Sequence, residues 1–210
     1  MEHLGTAFII VLIFSLLVFE SNSFFYGLKM GRSLNKKPHA VMVPFPAQGH
    51  INPMMQIAKK LAVEEGFAVT FVNTEYHHQR IVTANNNNQK SGLVGEAQAI
   101  GIRLVSISDG LDPHESRNHF TKLANSLEAT SGPLLCRLIE EMQEKGDEVT
   151  CLIVDTGSSY WAFEATKHLD ISRGVFWTAL TATYSTFYHA ATLISSGIIT
   201  SKGIPKEHRM

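Results

Sequence analysis

The chain has 210 residues, 44% of them hydrophobic, and a formal net charge of −1. That length supports one domain with a real core, and the near-neutral balance leaves no basic field for nucleic acid. Two cysteines, Cys136 and Cys151, make no disulfide framework; Cys151 opens an apolar run and reads as a buried core thiol.

Residues 1–37 stand apart from the rest of the chain. Residues 7–19 are apolar except for Ser15. That is shorter than the roughly 20 residues of a membrane span and matches the core of a signal peptide. Ser21-Asn22-Ser23 offers a small-x-small cleavage site, but no Lys or Arg precedes the apolar run. A third reading starts translation at Met30, whose polar leader runs into the first strand. The late start implies a cytoplasmic protein; a signal or anchor implies the endomembrane or secretory route. Residues 1–29 are expected to pack little against the domain, because they lie outside its strand–helix alternation.

From residue 38 the pattern is regular. Residues 40–45 form a continuous apolar run, as a strand buried on both faces should. Met54, Ile57, Ala58, Leu61 and Ala62 make a helical stripe stopped by Gly66. Residues 67–72 read as a second strand, 75–84 as a short helix, and the asparagine-rich stretch 85–90 as a polar loop. Residues 102–107 are a third strand, followed by a loop through Asp109-Gly110 and Pro113. A long helical region spans Phe120 to Met142, and Gly132-Pro133 is expected to kink or split it. Leu152-Ile153-Val154 is a fourth strand ending at Asp155, and a helix carrying Trp161, Ala162, Ala165 and Leu169 comes next. Residues 174–177 are a fifth strand and 180–196 a fifth helix. The alternation predicts an α/β fold, a Rossmann-like doubly wound parallel sheet. No internal repeat is present.

Between the first strand and its helix lies Pro44-Phe45-Pro46-Ala47-Gln48-Gly49-His50-Ile51-Asn52-Pro53. Asn52 suits an N-cap and Pro53 the first helical position, which leaves His50 on a loop at the carboxyl end of the strand. Ligands bind along that edge in open α/β sheets, and an imidazole there can accept a proton near neutral pH. Asp155 ends a strand on the same edge. The two side chains are expected within hydrogen-bond reach, or one water apart.

The run from Pro44 to Ala62 resembles the plant UDP-glycosyltransferases, an inverting family that moves a sugar from a UDP-sugar to a small hydroxylated acceptor. The match continues at Phe71-Val72-Asn73-Thr74-Glu75-Tyr76, His78-Gln79-Arg80-Ile81, Ile107-Ser108-Asp109-Gly110-Leu111, Cys151-Leu152-Ile153-Val154-Asp155 and Val175-Phe176-Trp177-Thr178, covering roughly residues 38–200. The resemblance implies the N-terminal half of a GT-B fold. Residues 38–210 would be a truncated acceptor domain, with the donor-binding C-terminal domain absent. His50 would be the general base and Asp155 its partner, fixing the ring's tautomer. Thr178, Gln48 and Gly49 would contact the sugar or its phosphate. Phe45, Trp161 and Tyr184 would line an apolar acceptor pocket. Structural alternatives stand beside these roles: a capping histidine, Asp155 and Thr178 as helix caps, and the three aromatics as plain core.

The resemblance further implies UDP-sugar as co-substrate, with glucose the expected sugar and an acceptor such as a flavonoid or terpenoid; no cofactor, no metal and a monomer are expected. The competing reading is a catalytically inactive truncated fragment that at most binds small molecules. On its own the chain is then expected not to transfer sugar at a useful rate. Asp155-Thr156-Gly157 spells an aspartic protease signature, but those enzymes need two such carboxylates and this chain has one Asp-Thr-Gly. A nicotinamide site needs a Gly-rich turn where only Gly49 stands, and there is no Walker-type loop. His114-Glu115 with His119 lacks the HExxH spacing, and His77-His78 face different sides of a helix.

Overall fold

The computed structural model describes residues 37–87 and 93–205. The expectations for residues 1–29, and for residues 88–90 of the asparagine-rich loop, lie outside the described residues. Five parallel strands form one sheet: β1 (His39–Val43), β2 (Ala68–Thr74), β3 (Ile102–Ile107), β4 (Cys151–Asp155) and β5 (Ser172–Phe176), in the order β3-β2-β1-β4-β5. The helices are α1 (Gln48–Val63), α2 (Glu75–Asn87), α3 (Leu93–Ala99), α4 (Phe120–Ser126), α5 (Gly132–Glu144), α6 (Ser159–Ala165), α7 (Thr181–Tyr188) and α8 (Ala190–Ser195).

The core follows from the alternation of side chains along each strand. Ala40 and Met42 of β1 face one side, where they join Phe71, Ile153, Phe176 and the buried stripe of α1 (Ile51, Met54, Met55, Ala58, Leu61). Val41 and Val43 face the other, against Leu152, Val154, Leu123 of α4, Leu127 of the turn that follows it, and Leu135 and Ile139 of α5. Both faces are covered, so every residue of β1 is buried. The fold is the doubly wound α/β sheet. Its strand order reverses between β1 and β4, the crevice where such sheets bind ligands. Register puts Val43 beside Val154, and Asp155 beside Phe176. The carboxyl ends of β1, β4 and β5 are therefore level.

Several boundaries differ from the sequence expectation. β1 ends at Val43 because Pro44 has no N–H for the ladder. α1 starts at Gln48, where the Ala47 carbonyl accepts from His50 N and Ile51 N at 2.9 Å each. Pro53 lies inside α1 rather than at its first position, and Asn52 is not the cap. Lacking an N–H, Pro53 leaves the Gly49 carbonyl without its i+4 partner. The expected helix at 75–84 extends to Asn87, and α3 was not expected at all. At Gly132-Pro133 the chain stays helical. Leu127–Ser131 forms a widened turn in which Gly132 N–H reaches back five residues to the Leu127 carbonyl, which makes room for the proline ring. The fifth expected helix is two, α7 and α8, separated at His189.

At the opposite, amino edge of the sheet, His39 is buried with Nε2 2.8 Å from Thr70 Oγ1 and Nδ1 2.9 Å from Asp147 Oδ1. Burial pulls its pKa below the ordinary 6.5, only partly opposed by Asp147. His77 is lowered too, by burial and then by Arg80. The unfolded chain thus takes up protons at these residues before the folded one does, and stability rises with pH. The domain should lose stability as pH falls through and below 6.5, the ordinary value from which both are displaced. Urea midpoints between pH 8 and pH 5 check this; His39→Gln should flatten the slope, and an unchanged slope contradicts the assignment.

Candidate active site

Three strand ends build the site. His50 comes from the first turn of α1, Asp155 from the end of β4, and Thr178 from the segment after β5. His50 Nδ1 lies 3.0 Å from both Asp155 carboxylate oxygens and 2.9 Å from Thr178 Oγ1. Asp155 is wholly buried, while the His50 side chain is 37% exposed. A carboxylate only accepts, so this geometry puts the ring proton on Nδ1 and the lone pair on Nε2. Thr178 competes for the same nitrogen, but a hydrogen bond to a carboxylate is roughly twice as strong as a neutral one. Among the described residues nothing bonds to Nε2. The arrangement can accept a proton from a hydroxyl brought to the open face of the ring.

Asp155 does more than hold the histidine. Its Oδ1 also accepts from Gly157 N at 2.8 Å, capping the short 3-10 turn Thr156–Ser158. The capping and histidine-holding alternatives therefore coexist, because a carboxylate has about four acceptor positions. The neighbouring loops are tied to one another through side chains. Ser158 Oγ donates to the Pro44 carbonyl at 3.2 Å, and Thr156 Oγ1 to the Phe176 carbonyl at 3.1 Å. Each bond links the β4–α6 turn to an adjacent strand end and fixes the relative height of His50, Asp155 and Thr178.

The remaining sequence candidates separate. Phe45 is buried and sets its ring edge-on to His50, centroids 5.3 Å apart, with the Phe120 ring 5.5 Å from its own. Gln48 and Gly49 are exposed in the first turn of α1, and a Cβ added at Gly49 would meet nothing within 4 Å. Thr178 caps no helix: the cap of α7 is Leu180, and the Thr178 hydroxyl is on His50 instead. Tyr184 packs edge-on against Trp177 at 5.5 Å, which places it against the chain neighbour of Thr178 but not on His50. Trp161 does not join the group. It is 5% exposed within the core of the α5 side, and lines a separate cavity with Cys136 and Glu140.

Two features escaped the sequence reading. Trp177, half-buried beside Thr178, donates from Nε1 to the Leu180 carbonyl at 3.2 Å and anchors the half-buried Tyr184 and the exposed Phe187. Its place next to Thr178 at a strand's carboxyl end was the available signal. The second is a clamp in the loop after β3. Arg117 bonds both oxygens of Asp109 at 3.1 Å, with both side chains under 10% exposed. It also reaches the carbonyls of Asp112 and Glu115 at 2.6 Å each and lies 4.2 Å over the Tyr76 ring. Gly110 turns this loop at φ +76°, where any Cβ would stand 2.3 Å from Thr130 Oγ1. The loop delivers Phe120 to Phe45, and so to His50.

Gly157 permits a close approach to the Phe45 ring. A Cβ there would come within 2.9 Å of Phe45 Cδ2 and 3.0 Å of its Cγ. Gly157→Ala is expected to cost about 1–3 kcal/mol through overpacking. Most of that cost should vanish in a Phe45→Ala background, a double-mutant cycle read by urea unfolding. Additive costs would show that the ring is not what Gly157 accommodates.

Residues 38–196 match the model of the glycosyltransferase N-terminal domain family. The chain is 35% identical over 167 residues to the (R)-mandelonitrile beta-glucosyltransferase of Prunus dulcis, covering 78% of this chain and 33% of that protein. It is 36% identical over 179 residues to UDP-glycosyltransferase 83A1 of Arabidopsis thaliana, covering 83% and 36% respectively. Among solved structures, a Polygonum tinctorium UDP-glucosyltransferase capable of glucosylating indoxyl aligns at TM-score 0.55 and 20% identity, over 77% of this chain and 33% of that one. The chain spans about a third of the length of the curated relatives it matches. No helix among the described residues is long and apolar enough to cross a membrane.

Proposed function

This chain belongs to the family 1 UDP-glycosyltransferases, as an N-terminal domain, and from that membership we propose that it forms the acceptor side of a sugar-transfer site with His50 as general base. Nε2 takes the proton of an acceptor hydroxyl as its oxygen attacks the anomeric carbon of a UDP-sugar, and UDP leaves. Asp155 holds the Nδ1–H and stabilises the imidazolium that forms. The observation that carries this reading is the 3.0 Å bond from a partly exposed ring to a wholly buried carboxylate. Glucose is the proposed sugar, in keeping with the names of the mandelonitrile and indoxyl relatives. The acceptor is a small hydrophobic alcohol or phenol, such as a flavonoid or terpenoid. Gln48, Gly49 and Thr178 sit where they can meet the sugar, and Phe45 with Tyr184 and Trp177 supplies apolar surface.

The donor is held by a partner domain, so the test joins residues 30–210 to the donor-binding half of the Arabidopsis relative and measures UDP release. Release that depends on both a phenolic or terpenoid acceptor and His50 supports the proposal. Acceptor-dependent release that persists without His50 refutes it. The bare chain serves as the background. The alternative of a binding module without chemistry predicts acceptor binding but no release from the joined protein.

A further inference from the structure

A second cluster of chemically competent side chains lies far from His50 in the fold. Cys136 and Glu140 are four residues apart on α5, on one face of that helix. His168 lies three residues beyond the end of α6. α6 runs back from the carboxyl edge of the sheet, and α5 ends where the chain turns to enter β4, so this group sits toward the amino edge. His168 Nε2 is 3.5 Å from Cys136 Sγ and 3.2 Å from Glu140 Oε1. The three ligand atoms all lie within 4.8 Å of one another.

The shape of this group excludes a nucleophile relay. In a relay the two ring nitrogens serve different partners, one the nucleophile and the other the carboxylate. Here thiol and carboxylate converge on the same nitrogen, which can give at most one proton. Three unlike donors pointing at one spot is what ligands around a cation do. The distances agree. Zinc bonds of about 2.3 Å to sulfur and about 2.0–2.1 Å to nitrogen and oxygen, at tetrahedral angles, place sulfur and nitrogen about 3.6 Å apart and nitrogen and oxygen about 3.3 Å apart. The observed separations are 3.5 and 3.2 Å.

We propose that Cys136, Glu140 and His168 form a zinc site that clips α5 to the segment following α6. The mixed sulfur, nitrogen and oxygen set suits a borderline-soft divalent ion, and a thiolate with a carboxylate balances its two charges. The fourth position opens to solvent beside a cavity of about 450 Å³, which Glu128, Glu140 and Glu164 line against a single Arg137. The ion enters by that route and keeps a water. Binding displaces the thiol proton to solvent; no oxidation or reduction is involved. The sequence expectation of no metal rested on histidine spacing, and only the packing of α5 on α6 brings His168 to Cys136 and Glu140.

The test uses the 210-residue chain and cobalt as the spectroscopic probe, followed by zinc. The wild-type chain should take one equivalent of cobalt with a thiolate-to-metal charge-transfer absorption, displaced by zinc, and zinc should raise its Tm. Cys151 is fully buried, its thiol pushed up to about 12 by burial, so it does not supply that band. Cys136→Ser should abolish the absorption, and His168→Gln should weaken zinc binding at least tenfold. Both positions are partly exposed, so the variants should fold, which far-UV circular dichroism checks. No thiolate–cobalt absorption in the wild type, or zinc affinity within twofold of wild type in both variants, overturns the proposal.

Discussion

Replacing His50 by alanine in the joined enzyme should slow sugar transfer by ~10²–10⁴-fold, the usual worth of a positioned base. The loss should fall on kcat, with acceptor affinity nearly unchanged, because the ring supplies chemistry rather than bulk binding surface. Asp155→Asn should be comparably damaging, about 10⁴-fold at most. An asparagine oxygen can still accept from Gly157 N–H, so the turn survives. Its NH₂, however, can donate to Nδ1 and drive the ring proton to Nε2, where the acceptor hydroxyl needs a lone pair. Thr178→Val should cost far less, since Asp155 holds the same nitrogen through the stronger bond. UDP release under saturating acceptor checks all three. Equal activity for wild type and His50→Ala would remove the base from the mechanism.

The largest effect on stability is expected from Arg117→Ala. Asp109 and Arg117 are 4% and 8% exposed. Removing one member of a buried pair strands the other charge and costs about 3–5 kcal/mol. Arg117 additionally ties the carbonyls of Leu111, Asp112 and Glu115, so amide exchange across the loop after β3 should rise as well. The double variant Asp109→Ala with Arg117→Ala should cost less than the sum of the singles, because no charge is then left unpaired. Urea unfolding with hydrogen exchange reads both. A loss under about 1 kcal/mol, the scale of an exposed ion pair, with unchanged loop exchange, would show that the clamp is not what orders the loop.

The sheet was legible because its signals are local. Val41-Met42-Val43, Phe71-Val72 and Leu152-Ile153-Val154 are apolar runs bounded by breakers, and parallel pairing buries them on both faces. The His50–Asp155 pair was legible for the same reason: both residues end or follow strands, and strand ends in one sheet are neighbours. What misled was proline chemistry. Pro53 is tolerated inside α1 at the loss of one hydrogen bond, so a residue that usually marks a helix start did not mark one, and His50 is helical rather than in a loop. Trp161 misled differently: its position on α6 is right for a pocket, but helix packing turns it into the core. The Asp109–Arg117 clamp and the approach of His168 to Cys136 and Glu140 could not be read at all. Asp109 and Arg117 are 8 residues apart, and Glu140 and His168 are 28 apart, with no periodic relation. Only tertiary packing brings them together.

A buried carboxylate fixes His50 with Nδ1 protonated and Nε2 free to accept. Nitrogen-15 NMR of the histidine-labelled chain tests it most directly, with His50 assigned by its loss in His50→Gln. The neutral ring should carry its proton on Nδ1, the Nδ1–H should be protected from exchange, and Asp155→Asn should shift the ring to the Nε2–H tautomer. A neutral His50 already protonated on Nε2 in the wild-type chain would contradict it.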